Sequence, residues 1–237
     1  LKQKNKKLLL QKKYLIMSSI KNKSRYLTYC EAINEAITIR MKKDKNIVVY
    51  GIEDKMFGSN DGLLKKFGNK RFFYTPLSED MLTGFSLGLS LAGKVPIFNH
   101  IRVDFLILGM NQLINMISSY SFASNKKVKV PMLIRAVIGR GWGQGPTHSQ
   151  NLHSWFSHIP GLKVVMPSNP EDAKGLLINS IFDPDPVIFL EHRWLHNSLS
   201  KKKLIKNNTI KIGKGKIILK GNDITIVAMS YLVPEAL

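Results

Sequence analysis

With 237 residues, 44% of them hydrophobic and 22% charged, the chain can form one main folded domain, which excludes an intrinsically disordered protein. The single cysteine, Cys30, excludes an internal disulfide framework and a cysteine-rich zinc site, and it favours the cytoplasm. No apolar stretch reaches the roughly 18–20 residues that span a bilayer.

A net charge of +20 suits nucleic-acid binding, but nine basic residues lie in 1–30 and eight in 201–220, and neither segment holds an acid. The residues between them are only mildly basic, and 29 Lys against 7 Arg are typical of an AT-rich genome. We therefore expect no specific nucleic-acid partner, with a polyanion-binding tail as the alternative.

Residues 1–27 are a basic leader. We expect this segment to be disordered or non-native, with the true start near Met17; an organelle-targeting leader is the alternative. The first helix is predicted after Thr28, because Thr28 and Glu31 match an S/T-x-x-E capping box ahead of apolar residues at helical spacing. It should run to about Lys43.

Short apolar runs and helical patterns then alternate. A buried strand is predicted at 47–51, and further strands at 95–98, 130–137, 162–166 and 186–191. Helical patterns occupy about 80–92, 105–121 and 170–182, the last opened by Asn169 and Pro170. This alternation predicts an α/β fold over residues 28–196, with a parallel sheet flanked by helices.

The remaining residues change character. Residues 197–221 are polar and Lys-rich, which predicts a linker or an edge hairpin. A further strand pattern at 223–230 predicts that residues 222–237 are the start of a second, C-terminal α/β domain that is cut off.

Residues 75–98 are the most informative for chemistry. A proline-containing loop presents Ser78, Glu79 and Asp80 at the start of a predicted helix. An acid there complements the helix dipole, for roughly 0.3–1 kcal/mol. Asp80 suits that capping role better, which leaves Glu79 free to point elsewhere.

Seven pieces of sequence, in this order, resemble the beta subunits of pyruvate and branched-chain 2-oxoacid dehydrogenases over nearly all of residues 28–237. They are VYGIED at 49–54, KKFGNKRFFYTPLSED at 65–80, GLSLAGKVPIF at 88–98, NQLIN at 111–115, GPTHSQ at 145–150, HIPGLKVVMPSNPEDAKGLL at 158–177 and DPDPVIFLEHRWL at 183–195. The resemblance implies a transketolase-type pyrimidine-binding domain, followed by a transketolase C-terminal domain. It also implies dependence on thiamine diphosphate.

In that family, the Glu of the TP-x-[ST]-E motif hydrogen-bonds a ring nitrogen of the cofactor's aminopyrimidine, and the resemblance assigns this role to Glu79. A carboxyl group that shares a proton with that nitrogen favours the imino tautomer. The imine then removes the proton from the thiazolium carbon, which makes Glu79 the expected activator of the cofactor.

Two further site residues follow from the resemblance. Phe105 falls where the family places an aromatic ring against the pyrimidine; plain core packing is the alternative. His148 matches the family's active-site histidine, near the substrate and the incoming lipoyl arm. It follows a loop with glycines at 139, 141, 143 and 145, which lacks the strand–helix context of a dinucleotide-binding fingerprint.

The sequence departs from the family at two places. Two adjacent acids commonly follow the glycine that ends the first strand, whereas here Gly51 is followed by Ile52 and then by Glu53. We expect Glu53 to be a cofactor-binding residue. The missing first acid argues against a relay of carboxylates that would use it to connect paired active sites. Arg102 lies in a stretch that is more acidic or apolar in the family, so we expect it to face an anionic group of the substrate. A surface or interface ion pair is the alternative.

A binding motif for the cofactor's diphosphate and Mg²⁺, GDG followed some 30 residues later by Asn, does not occur in the sequence. The resemblance implies that an alpha subunit supplies this half of the site, that two of each chain form a heterotetramer, and that a lipoyl acyltransferase core receives the acyl group. Asp183 and Asp185 lie in a loop that in some relatives holds a structural potassium ion through backbone oxygens; otherwise they are ordinary turn residues.

Three functions therefore stay open. The first is the beta subunit of a 2-oxoacid dehydrogenase. The second is a free-standing thiamine-diphosphate enzyme of secondary or polysaccharide metabolism, which the two departures favour. The third is a catalytically inactive binding protein with nucleic-acid-binding tails, against which Glu79, Phe105 and His148 weigh.

Overall fold

The computed structural model describes residues 26–52, 56–201 and 209–237. Its centre is a six-stranded sheet in the order β2-β1-β3-β4-β6-β5, in which every strand pairing is parallel. The strands are β1 Ile47–Gly51, β2 Phe72–Tyr74, β3 Val95–Arg102, β4 Leu133–Ile138, β5 Lys163–Val165 and β6 Val187–His192. The predicted α/β class with a parallel sheet is confirmed.

The α-helices of the described ranges are α1 Tyr29–Lys43, α2 Leu63–Phe67, α3 Glu79–Leu91, α4 Val103–Leu106, α5 Ser118–Ala123, α6 His153–Ser157, α7 Pro170–Ser180 and α8 Leu232–Ala236. A 3₁₀ turn at Ile107–Gly109 and a π-helical stretch at Gln112–Ile117 continue the helical path from α4 to α5. Shorter 3₁₀ turns lie at Met56–Gly58, Pro146–His148 and Arg193–Leu195. None of these helices has the length and apolarity that a membrane span needs.

Two helices, α1 and α7, begin where the sequence predicts, and a side chain caps the first turn of each. In α1, Thr28 Oγ1 accepts a hydrogen bond from the Glu31 backbone N–H at 3.2 Å, and Glu31 Oε2 accepts one from the Thr28 N–H at 2.9 Å. In α7, Asn169 Oδ1 accepts from the Asp172 N–H at 2.8 Å. These bonds satisfy backbone donors that the helix itself leaves unpaired.

Two hydrophobic cores lie on opposite faces of the sheet, because successive strand residues point to opposite sides. One core holds α1 and α7 against Val49, Ile97 and Phe189. The other holds α3 and the helical path from α4 to α5 against Tyr50, Phe98 and Ile134. Burial on both faces explains why these strands are continuously apolar in sequence.

Several predicted boundaries were wrong. Strand β3 extends to Arg102 rather than to residue 98, β4 begins at Leu133 rather than at residue 130, and the sequence pattern missed β2, α2 and α6. The strand predicted at 223–230 is absent, and Ile226 and Val227 are 63% and 89% exposed. A strand needs a neighbouring strand to accept and donate its backbone hydrogen bonds, and none of the described strands lies beside this segment.

The flanking segments are described in part. The leader lies outside the described residues up to residue 25, and so do residues 202–208 of the predicted linker. Before that gap, Ser200 pairs with the start of the domain: its N–H donates to the Leu27 carbonyl at 2.9 Å. After it, Ile210 packs so closely on Gly175 that a Cβ there would meet Ile210 Cγ1 at 2.6 Å.

Candidate active site

All six strands are parallel, so their carboxyl ends meet at one edge of the sheet. The strand order reverses direction between β1 and β3, and open α/β sheets bind ligands in the crevice at such a point. Glu79 follows β2, Phe105 follows β3, and the loop that carries His148 follows β4. The fold therefore brings these three predicted residues to the same edge.

Glu79 is the first residue of α3 and is half-buried. Within the part of the chain that the structure describes, its carboxylate makes no hydrogen bond or ion pair. Ser78, the N-cap residue, makes no side-chain capping bond, and Asp80 accepts instead from Gln112 Nε2 at 3.2 Å. The expected side-chain cap from Asp80 is not formed, and among the described residues the Glu79 carboxylate has no partner.

Close packing fixes the start of α3. A Cβ on Gly109 would lie 2.5 Å from Thr83 Oγ1, and a Cβ on Gly84 would lie 2.9 Å from Gln112 Oε1. At Gly109 a side chain would clash with Thr83, and this close approach holds α3 against the residues that follow Phe105. Thr83 Oγ1 also donates to the Glu79 carbonyl at 2.7 Å, so the residue that packs on Gly109 is bonded to the backbone that carries Glu79.

Phe105 and His148 are in contact. Their ring centroids lie 5.2 Å apart at an interplanar angle of 77°, an edge-to-face arrangement. Both side chains are half-buried, so Phe105 belongs to the surface of the site rather than to either core. The neighbouring Asp104 is buried, and its Oδ1 accepts from the Gln150 N–H at 3.0 Å, which ties the end of the His148 segment to α4.

Arg102 is buried, with 9% of its surface exposed. Its Nη2 donates a short hydrogen bond to Gln144 Oε1. Its guanidinium carbon lies 5.6 Å from the centre of the Phe57 ring and 5.4 Å from that of Trp142. Sequence reasoning missed Phe57, Trp142 and Gln144, because their contacts bring two separate loops against the end of β3.

The glycines of the loop at 139–145 have a structural cause. Gly139 and Gly141 have φ values of +117° and +84°, which L side chains rarely adopt. A Cβ on Gly139 would lie 2.8 Å from His192 Nε2, and one on Gly141 would lie 2.7 Å from the Trp194 ring. The loop therefore lies directly against the residues that end and follow β6.

Arg135 forms a buried polar network beneath the site that was not predicted. The side chain is fully buried in β4, and it donates to Glu191 Oε1 in β6 at 2.7 Å and to Asn99 Oδ1 in β3 at 3.0 Å. It also donates to Ser59 Oγ at 2.7 Å and Asn60 Oδ1 at 3.0 Å. Burial raises the pKa of Glu191, and Arg135 opposes that rise. The sequence does contain a signal for this network, because Arg135 and Glu191 are charged residues inside the otherwise apolar strands β4 and β6.

Residues 25–197 match a family model described as the transketolase pyrimidine-binding domain. The chain belongs to this family. It is 38% identical over 213 residues to "Pyruvate dehydrogenase E1 component subunit beta" of Acholeplasma laidlawii, an alignment that covers 88% of this chain and 65% of that protein. A protein of the same name from Staphylococcus epidermidis is 36% identical over 215 residues, with 89% of this chain and 66% of that protein covered.

A solved "Split gene transketolase, inactive beta4 tetramer" has the same fold, with a TM-score of 0.70 at 21% identity over 89% of this chain and 64% of that chain. The chain thus spans just under two thirds of the length of each of these three relatives.

The residues at the sheet edge fit the aminopyrimidine of thiamine diphosphate, the group that a transketolase-type pyrimidine-binding domain implies. The Glu79 carboxylate, which has no partner within the described part of the chain, suits a ring nitrogen that carries a proton, and the half-exposed ring of Phe105 suits a flat heterocycle. Glu53, the second acid assigned to the cofactor, lies outside the described residues. No group of three or more His, Cys, Asp or Glu side chains suited to a metal occurs in the described ranges.

Asp183 and Asp185 precede β6 and so lie at the opposite end of the sheet from the site. Lys163 Nζ lies 2.6 Å from Asp183 Oδ1 and 2.9 Å from Asp185 Oδ2. Burial alone would lower the pKa of Lys163, but its bonds to the two carboxylates outweigh burial and raise it. Because the ammonium occupies both carboxylates, these side chains do not fit a potassium site, and the expected role of the loop's backbone oxygens stays a prediction.

Proposed function

We propose that this chain is the beta subunit of a thiamine-diphosphate-dependent 2-oxoacid dehydrogenase, in its decarboxylating component. The observation that carries the proposal is the Glu79 carboxylate, which has no partner among the described residues and lies at the sheet edge where Phe105 and His148 meet. Two curated relatives at 38% and 36% identity, named as the beta subunit of pyruvate dehydrogenase, support it.

In this proposal three residues bind the cofactor. Glu79 shares a proton with the pyrimidine ring, Phe105 packs on the face of that ring, and Glu53 is a further cofactor-binding residue. His148 faces the substrate and the lipoyl arm that accepts the acyl group. When bound, thiamine diphosphate supplies the carbon nucleophile and the electron sink for loss of CO₂. The protein's contribution is to hold the acid and the ring in fixed geometry.

The partners in this proposal follow from the absence of a diphosphate- and Mg²⁺-binding motif in this sequence. An alpha subunit supplies the diphosphate and Mg²⁺ site, two chains of each kind form a heterotetramer, and a lipoyl acyltransferase core accepts the acyl group. The sequence lacks the GDG motif that binds the diphosphate and metal, and the curated relatives are named as one subunit of a larger component.

The decisive experiment compares Glu79→Gln with Asp80→Asn in the complete complex. Glu79→Gln keeps the size and hydrogen-bonding capacity of the side chain but cannot hold the shared proton. Proton exchange at the thiazolium carbon of the bound cofactor, followed by quenched-flow NMR, should slow by about 10²–10⁴-fold. Asp80, an exposed acid at the next position that accepts a hydrogen bond from Gln112, is the matched control: its variant should exchange at the wild-type rate. Proton exchange at the wild-type rate in Glu79→Gln would contradict the role of Glu79 as the activator of the cofactor.

A second candidate is a free-standing enzyme that uses the same cofactor for transketolase-like chemistry in secondary or polysaccharide metabolism. Ile52 in place of an acid and Arg102 beside the site favour it. A substrate screen separates the two. The first candidate releases CO₂ from a 2-oxoacid and transfers the acyl group to lipoyl-lysine, whose disulfide is reduced in the same step, whereas the second transfers a carbon unit between sugars with neither CO₂ release nor lipoyl-lysine.

A further inference from the structure

Arg102 links two loops at the carboxyl edge of the sheet, the segment that follows β1 and the glycine-rich loop of residues 139–145. It ends β3, bonds Gln144 of the glycine-rich loop, and lies against Phe57, which follows β1, and Trp142. Its planar guanidinium is suited to this arrangement, because its N–H groups donate hydrogen bonds within the guanidinium plane while its flat face stacks on aromatic rings. A lysine at this position would retain the charge but not these two kinds of contact.

Trp142 links Arg102 to His148. The Trp142 indole N–H donates to the backbone carbonyl of His148 at 3.0 Å. The same indole ring faces the Arg102 guanidinium. A displacement of Arg102 therefore removes support from the ring whose N–H fixes the backbone of His148, and with it the edge-to-face contact of His148 with Phe105.

The opposite side of the loop is closed by packing. Gly139 and Gly141 lie so close to His192 and Trp194 that a Cβ at either position would clash. The loop is thus held from two sides, by the packing of His192 and Trp194 on one side and by the contacts of Arg102 on the other. Since its glycines otherwise give it wide conformational freedom, the order of the loop depends on these contacts.

We propose that Arg102 is a positioning residue: through Trp142 and Gln144 it holds the loop of residues 139–148 in the conformation that places His148 against Phe105. The consequence for catalysis rests on the proposed function of this site. The sequence-based expectation, that Arg102 contacts an anionic group of the substrate directly, is the competing assignment. The two make different predictions for the loop in the absence of any ligand.

The first test needs no cofactor. Arg102→Lys and Trp142→Phe are compared with wild type by amide hydrogen exchange of the 139–150 segment and by NMR of the His148 ring, assigned with His148→Gln. We expect about tenfold faster exchange in both variants, since each loses a hydrogen bond that opposes opening of the loop. The ring-current shift that Phe105 imposes on His148 should also fall. Trp142→Phe keeps a ring for Arg102 to face, so it isolates the lost N–H and remains available if Arg102→Lys does not fold.

Arg193→Lys is the matched control. Arg193 also lies over the Phe57 ring, at 3.8 Å, but within the described ranges it makes no hydrogen bond to the glycine-rich loop. It should leave the exchange of 139–150 and the His148 shift at their wild-type values. Unchanged exchange and an unchanged His148 shift in both Arg102→Lys and Trp142→Phe would overturn the proposal.

The second test uses turnover of the complete complex. A positioning role predicts that Arg102→Lys lowers kcat about tenfold with little change in KM for the 2-oxoacid, because the lost contacts act on His148 and not on bound substrate. A raised KM with normal loop exchange would instead assign Arg102 to the substrate and refute the positioning role. If the wild-type complex turns over no 2-oxoacid, the proposed function fails, and the exchange and NMR results still decide the role of Arg102.

Discussion

The rings of Phe105 and His148 lie edge to face, 5.2 Å apart, although one side chain follows β3 and the other follows β4. Strands β3 and β4 are neighbours in the sheet and parallel, so the segments that leave their carboxyl ends emerge side by side. This pairing is a direct product of the topology. It places an aromatic ring and a titratable ring in contact at the crevice where such sheets bind ligands.

Phe105→Leu should weaken thiamine diphosphate binding in the complete complex by about tenfold. Leucine keeps apolar volume but loses the flat face, and aromatic pairing contributes about 0.5–1.5 kcal/mol beyond buried area. Calorimetric titration of the complex measures this loss. Phe122→Leu, at a ring that is 83% exposed and outside the site, is the control and should bind the cofactor normally. Equal affinities for both variants would assign Phe105 to packing alone.

Arg135→Met should lower the free energy of unfolding by about 3–5 kcal/mol, because it leaves the Glu191 carboxylate buried without its charged partner. Urea denaturation measures the change. The double variant Arg135→Met with Glu191→Leu should recover much of the loss, since no uncompensated charge then remains. A double variant as unstable as the single one would show that the bonds of Arg135 to Ser59, Asn60 and Asn99 dominate instead.

The sequence predicted those elements whose cause is local. Helix α1 is set by its capping box, and β1 and β6 by apolar runs that both faces of the sheet bury. Strand β2 was missed because its three residues carry too short a pattern, and the strand at 223–230 was wrongly predicted because alternating apolar residues do not supply a partner strand. Arg102 was noticed because its stretch departs from the more acidic or apolar one of the family, but its contacts with Phe57, Trp142 and Gln144 depend on how two loops pack against the end of β3.

Gly161→Ala should destabilise the fold more than Gly93→Ala does. Both glycines have positive φ, +93° and +78°, so both substitutions carry the left-handed backbone penalty of about 1–2 kcal/mol. A Cβ on Gly161 would also clash with the Ser118 carbonyl oxygen, whereas the space around Gly93 is open. The clash should add about 1–3 kcal/mol. Thermal or urea unfolding of the two variants measures the difference, and equal losses would mean that the 161 loop moves away without cost.

Acid should destabilise the protein through His100. Burial in β3 lowers the pKa of His100 to about 4, from an ordinary value near 6.5. Because the folded-state pKa is depressed, the neutral ring is favoured by folding. Its contribution is present above about pH 6.5 and is lost as the pH falls toward 4.

Between about pH 7.5 and pH 5, this single histidine should remove about 2 kcal/mol from the free energy of unfolding. The measurement is urea denaturation at both pH values for wild type, His100→Gln and His158→Gln. His100→Gln removes the titrating group, so its stability should fall less between the two pH values than that of wild type. His158 is exposed, and its variant should keep the wild-type pH dependence. A His100→Gln protein with the full wild-type loss would mean that other buried groups, His196 foremost because burial lowers its pKa to about 3, govern the acid transition.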